Sequence, residues 1–195
     1  MRAFISLNLS EEKKREVLEI QNKVKSLLDS RALDSIKWEG KDEFHQTIFF
    51  LGDVEEKIIR NISDSLEKIK SEINFSEIKF IARGINAFPK LRYPRVLIIE
   101  LDNPRQSESS TPGNVFLLYD KICEKLNEYG FTPDKKFHPH ITLGRVKRDK
   151  KINLESLKDK IKTSLSFTLN EFCLMESKLS SRGSVYKEIK KIMLR

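Results

Sequence analysis

Two phrases of nearly the same wording stand about half a chain apart: Phe44-His45-Gln46-Thr47-Ile48 and Pro139-His140-Ile141-Thr142-Leu143. Each is His-x-Thr inside an apolar, β-prone run, and together they use two of the chain's 3 histidines. Side chains alternate across a strand, so residues i and i+2 share a face. His45 and Thr47 therefore point one way, as do His140 and Thr142, while Gln46, Ile48, Ile141 and Leu143 point the other. An imidazole beside a hydroxyl suits phosphate chemistry. The ring gives or takes a proton near neutral pH, and the hydroxyl donates to a phosphate oxygen. Two such units facing each other supply one acid, one base and two donors.

The likeness continues past the triplets. Leu51-Gly52-Asp53-Val54 and Leu143-Gly144-Arg145-Val146 both reach Gly-x-Val, offset by three residues. This suggests a weak internal duplication with a pseudo-twofold relation between halves, and two copies exclude a solenoid. The competing reading is two unrelated strand histidines, because threonine is common in strands.

The length of 195 residues suits a single domain, 1–195, built of two small lobes. The formal charge of +8 favours polyanionic partners, nucleic acid or phosphorylated ligands. The run Arg145-Val146-Lys147-Arg148-Asp149-Lys150-Lys151 begins soon after His140, so its charge is expected near the chemistry. Lys13-Lys14 and Lys190-Lys191 read instead as merely solubilising. Cys123 and Cys173 are too far apart and too few for a disulfide framework, and neither has a ligand spacing. Both are expected to be buried and reduced, as in a cytoplasmic protein. The opening residues lack the apolar core of a signal peptide, and no apolar run of about 18 residues predicts a membrane span.

The pattern predicts a strand over 2–8, a helix from Ser10 to about 29, and a short strand at Ile36-Lys37-Trp38. The first motif strand covers 43–52, and a helix follows with Ile58, Ile59, Ile62, Leu66 and Ile69 inward. Strands over 75–88 and 95–101 come next, then a Ser- and Pro-rich loop from Asp102 to Gly113. A third helix spans 114–129 and stops at Gly130. The second motif strand covers 137–147, a fourth helix 153–163, and two closing strands 165–176 and 184–194. The fold class is α+β: bilobed, with two pseudo-symmetric antiparallel-sheet lobes, helices packed outside, and a central cleft as the natural active site.

These residues resemble the 2H phosphoesterase superfamily, and within it the RNA 2′,3′-cyclic phosphodiesterases, also known as 2′–5′ RNA ligase-like proteins. The resemblance rests on the Met1-to-Ile5 opening, on Trp38 ahead of Phe44 to Gly52, and on Phe88-Pro89 with Pro94 to Leu97. It continues through Pro139 to Arg145 and Gly183 to Tyr186. It implies a V-shaped cleft and hydrolysis of a 2′,3′-cyclic phosphate to a 2′-phosphomonoester, with no metal and no other cofactor. It further implies His45 as proton donor and His140 as proton acceptor, with Thr47, Thr142 and Arg145 on the phosphate. The expected partner is RNA with a cyclic phosphate end, or a small cyclic nucleotide, met by a monomer that binds no membrane. Phe4, Phe44, Trp38 and Tyr186 are candidates for stacking a base.

Several alternatives remain open at this level. His138, His140 and His45 form a conceivable zinc set, since His-x-His on a strand places two rings together. A non-catalytic RNA-binding module accounts for the charge but not for the paired motifs. RNA 2′–5′ joining would be the reverse of hydrolysis, and no Walker A sequence supports ATP-driven ligation. His138 reads as a partly exposed strand residue on the face of His140, and the longer Asp102–Gly113 loop as an exposed linker.

Overall fold

The computed structural model describes residues 1–103, 113–161, 163–180 and 183–194. The chain opens with β1 (Arg2–Asn8), α1 (Glu11–Ser26), a short α2 (Ser30–Asp34) and β2 (Ile36–Trp38). A 3-10 turn at Lys41–Glu43 leads into β3 (His45–Asp53), then α3 (Glu56–Glu72), β4 (Ile78–Phe88) and β5 (Val96–Asp102). After α4 (Asn114–Asn127) and β6 (His140–Val146) come β7 (Ser166–Leu169), β8 (Glu171–Ser180) and β9 (Gly183–Met193). One antiparallel sheet runs β3-β1-β8-β9, and the other β2-β6-β5-β4-β7. This is the expected bilobed α+β fold, with one motif strand in each sheet.

Local chemistry sets the element ends. Ser10 Oγ accepts from Lys13 N–H at the start of α1, where Glu11 and Glu12 meet the positive helix end. Past α4, Gly130 takes φ +81 while Phe131 N–H bonds back to Leu126 O at 3.1 Å. That left-handed turn is where glycine costs least. The inward stripes of α3 (Ile62, Leu66, Ile69) and α4 (Leu118, Ile122, Leu126) join one continuous core with Ile5 and Leu7 of β1 and Leu97 and Ile99 of β5. Tyr129 Oη bonds Ser65 Oγ at 2.7 Å, tying the end of α4 to α3.

Two sequence expectations need correction. The helix expected over 153–163 is only a 3-10 turn, Glu155–Leu157. Leu154, Leu157 and Ile161 are buried at helical spacing, but Leu154 N–H is spent on Leu91 O at 2.8 Å, and Asp159 has φ 61. A short segment with its apolar groups already anchored gains little from the costly helical nucleus. The single strand expected over 165–176 is two strands in different sheets. β7 pairs with β4 and β8 with β1, with Asn170 between them accepting from Leu194 N–H at 2.7 Å. Phe172 to Met175 are buried without alternation because β8 is central and covered on both faces. The stretch 104–112 of the loop lies outside the described residues.

β2 belongs to the first half of the chain but adds to the second sheet, pairing Ile36 with Val146, Lys37 with Arg145 and Trp38 with Gly144. Buried Gln21 of α1 seals this crossing, donating through Nε2 to Glu39 O and Leu143 O at 2.9 Å each. A Cβ at Gly144 would lie 2.7 Å from Ile36 Cγ2 and 3.0 Å from Lys37 O. We therefore expect Gly144→Ala to push β2 off β6 and cost ~1–3 kcal/mol. Chemical denaturation should show the midpoint fall with an unchanged slope, and an unshifted midpoint would contradict the close packing.

Candidate active site

The two motifs meet across one cleft of about 1320 Å³, which His45, Thr47, His140, Thr142 and Arg145 all line. β3 and β6 hold their histidines in the same way. His45 Nδ1 lies 2.7 Å from Glu43 O, and His140 Nδ1 lies 2.7 Å from His138 O. A carbonyl oxygen only accepts, so in both neutral rings Nδ1 carries the proton and Nε2 the free lone pair. Thr47 then donates through Oγ1 to His45 Nε2 at 3.0 Å. Each ring rests on a phenylalanine. Phe4 lies 5.0 Å from His45 and Phe88 lies 5.0 Å from His140, between ring centroids. Tyr186 packs edge-on against both His45 and Phe4, at 5.1 Å from each.

The repetition reaches further than the triplets. Ser6 pairs with Thr47 but Ile5 pairs with Phe49, so Ile48 is an extra residue. Likewise Ile98 pairs with Thr142 but Leu97 with Gly144, so Leu143 is extra. Each motif threonine is thus followed at once by a β-bulge, which shifts the alternation by one. The residue three past each threonine returns to the cleft face. In β3 this is Phe50, and in β6 it is Arg145; both line the cleft and are mostly exposed. The equivalent of Gly144 is therefore Phe49, not Gly52, and the Gly-x-Val likeness in the sequence is not the structural one.

Arg145 Nε lies 3.1 Å from Glu39 Oε1. Burial, followed by the opposing pull of Arg145 and the repulsion of Glu43, leaves the Glu39 carboxyl above its usual range. Burial also dominates both histidines. It holds His45 well below the ordinary 6.5, at about 4, against the pull of its bond to Glu43 O; the charges of His140, Arg145 and Lys14 add to the lowering. His140 is lowered by burial in the same way, with His138 and Arg145 adding. Both imidazoles are neutral at pH 7 in the free protein. Among the described residues the rim, in contrast, carries Arg2, Lys37, Arg95, Lys135, Lys136 and Arg145 against only Glu39, Glu43 and Asp134.

Five of the sequence-derived site residues are thus brought together: His45, Thr47, His140, Thr142 and Arg145. The rest of the basic run is not. Of residues 145–151 only Arg145 lines this cleft, and Lys150 and Lys151 border a separate hollow with Arg31 and Asp34. Among the stacking candidates, Phe44 is 1% exposed and belongs to the core, and Trp38 packs beneath Lys25 away from the cleft. Phe4 is buried under His45, and of the four only Tyr186 both lines the cleft and is partly exposed. Sequence reasoning missed Phe50, which is 52% exposed with the Arg2 guanidinium 4.9 Å from its ring centroid. The signal was present in its position, five past His45 as Arg145 is five past His140, but only the bulges give that spacing meaning. His138 precedes β6 rather than lying in it, yet its ring also packs edge-on against Phe88, at 5.3 Å. Cys173 is buried as expected, whereas Cys123 is only partly so; both are free. Among the described residues no three His, Cys, Asp or Glu side chains converge as metal ligands would, and no helix is long and apolar enough to cross a membrane.

The profile of the LigT-like phosphoesterase family matches residues 7–98 and 108–186. An RNA 2′,3′-cyclic phosphodiesterase of Thermotoga maritima is 29% identical over 187 residues, covering 96% of this chain and 92% of the relative. A protein of the same name from Methanocaldococcus jannaschii is 29% identical over 195 residues, covering 97% and 99%. In three dimensions, TT0787 of Thermus thermophilus superposes with a TM-score of 0.77 at 23% identity, over 100% of this chain and 98% of that one. Escherichia coli LigT, solved with 3′-AMP, gives 0.72 at 22% identity, over 99% and 97%. Two like-built histidine strands facing one cleft, and a family profile that spans most of the sequence, place this chain in the LigT-like phosphoesterase family.

Proposed function

We propose that this protein hydrolyses RNA 2′,3′-cyclic phosphate ends to 2′-phosphomonoesters without a metal, with His45 as acid and His140 as base. The observation that carries this reading is the matched pair of imidazoles, each held through Nδ1 by a carbonyl two residues upstream, in one cleft. The names of the relatives support the substrate. His140 Nε2 takes a proton from water as its oxygen bonds to phosphorus opposite the 3′ oxygen. The P–O3′ bond breaks, and O3′ takes the proton from His45 Nε2, leaving the phosphate on O2′. Thr47 and Thr142 donate to the non-bridging oxygens, and Arg145 exchanges Glu39 for the phosphate. The terminal base stacks on Phe50, whose other flank is Arg2, and the lysines at 135 and 136 meet the preceding phosphates. The protein works as a monomer in the cytoplasm, where Cys123 and Cys173 stay reduced.

A neutral His45 cannot be an acid, so the substrate must supply part of the remedy. A phosphate anion beside Nε2 stabilises the imidazolium and raises its pKa. His45 should titrate near 4 in the free protein by NMR and at clearly higher pH with 2′-AMP bound. Before ligand, the depressed values carry a stability signature. Between the unfolded value of 6.5 and the folded value of about 4, the unfolded chain binds protons that the native site refuses. Stability due to His45 is therefore full above pH 6.5 and lost as pH falls toward 4. Denaturation across this window should show that decline, and His45→Asn should flatten it. A His45 resonance titrating near 6.5 in free protein would contradict the burial argument.

An RNA oligonucleotide ending in a cyclic phosphate, incubated with EDTA present, should give a 2′-monoester. His45→Ala and His140→Ala should each lower kcat roughly 10²–10⁴-fold. A 3′-monoester product, or near-full turnover in either variant, would sink the reading. Phe50→Ala should raise KM by the equivalent of ~1–3 kcal/mol while leaving kcat nearly intact. A fall confined to kcat would mean that Phe50 shapes the reacting end rather than holding a base.

A further inference from the structure

The carbonyls that hold the two motif histidines are themselves held, but by different means. In the first half, Glu43 closes the 3-10 turn by accepting from Gly40 N–H through Oε2 at 2.7 Å, so its own carbonyl is fixed under His45. In the second half no such turn precedes the motif. His138 lies just before β6, one residue beyond the last β5–β6 bond, Leu101 N–H to Pro139 O at 3.1 Å, and its side chain is what remains to fix its own carbonyl. Its Nε2 is 3.3 Å from Glu100 Oε1, an ion-pair distance without an aligned hydrogen bond, and its ring packs against Phe88 beside His140. The carboxylate is aimed in turn, since Glu100 Oε2 accepts from Asn86 Nδ2 at 3.0 Å. Glu100 also stands directly opposite His140 in the ladder, at the place that neutral Asn8 occupies opposite His45.

From this geometry we propose that His138, held by Glu100 and Asn86, is a positioning residue that locks His140 in the Nδ1–H tautomer. The inference deepens the hydrolytic reading above and rests on it for its effect on turnover. A base must keep its lone pair on the reacting nitrogen. If the His138 carbonyl swings away, His140 Nδ1 loses its acceptor, the two neutral tautomers become closer in energy, and a share of the rings carries the proton on Nε2. Those rings cannot accept a proton from water, although the cleft that binds substrate is unchanged. The loss therefore falls on kcat, as it does when the group orienting a catalytic imidazole is removed. Phe88 keeps the ring's plane, so the fault is one of protonation site rather than of placement.

The test uses the free, 15N-histidine-labelled protein above pH 7 and a cyclic-phosphate oligonucleotide assayed in parallel. In the unaltered protein both motif histidines should show the Nδ1–H pattern of ring 15N shifts. His138→Ala should move His140 toward a tautomer mixture while His45 keeps its pattern. It should also lower kcat on the order of 10-fold with KM within a factor of about two. Glu100→Gln should do the same in milder form, and it covers the case in which His138→Ala fails to fold. His138→Gln, whose amide nitrogen can still reach Glu100, should recover most of both signals. A His140 pattern unchanged in folded His138→Ala and Glu100→Gln overturns the proposal, as does a KM rise with kcat intact. If the tautomer shifts as expected but the unaltered protein hydrolyses no cyclic phosphate, the positioning role stands and the hydrolytic reading is the one that fails.

Discussion

The bond between each motif histidine and the carbonyl two residues before it is the constraint on which the site depends. It lies at the mouth of each motif strand, costs no side chain, and decides which nitrogen faces the cleft. A threonine two residues on can serve the same ring only because that tautomer is fixed, as the 3.0 Å contact of Thr47 shows. The sheets exist, in this sense, to bring two such strand ends together. β3 is an edge strand and β6 has only short β2 outside it, so both present the motif face at a sheet margin where a cleft forms. Gln21 then pins the crossing that places β2 against β6, which makes the margin rigid.

The bulges supply what a regular strand cannot. Strict alternation would turn the residue three past each threonine into the core. One extra residue in each strand returns Phe50 and Arg145 to the cleft, and both sites then share an imidazole, a hydroxyl and a third contact. The third contact is where the halves diverge. An apolar ring with a guanidinium beside it suits a base, and a guanidinium paired with a carboxylate suits a phosphate. A duplicated frame can thus serve an unsymmetrical ligand, because the frame is set by the backbone and the divergence by single side chains.

How much of this was legible in the sequence follows from which interactions are local. His45–Thr47 and His140–Thr142 were readable because i and i+2 share a face in any strand. The stripes of α1, α3 and α4 were readable for the same reason at a helical period. Phe50 was not, because a bulge is a property of the pair of strands and leaves no period in either. The false helix near Leu157 and the fused strand around Asn170 have a common origin. Apolar spacing records which residues are buried, whereas the segment's shape depends on what they are buried against: Leu91 in one case, two different sheets in the other. The basic run after His140 misled similarly, since Arg2, Lys37, Arg95, Lys135 and Lys136 reach the cleft from scattered positions.

The electrostatics of the cleft turn on a conflict between its floor and its rim. Burial that keeps His45 and His140 in place also makes both neutral, while the rim collects positive charge that further opposes their protonation. An anion entering the cleft answers both. It is drawn by the rim, and once beside Nε2 it outweighs the repulsion that kept the ring neutral. The proton required of an acid is therefore acquired with the ligand, and a neutral molecule of the same shape would leave both rings unprotonated. Both rings face that opposition: burial and the charges of His140, Arg145 and Lys14 act against a proton on His45, and burial with His138 and Arg145 acts against one on His140.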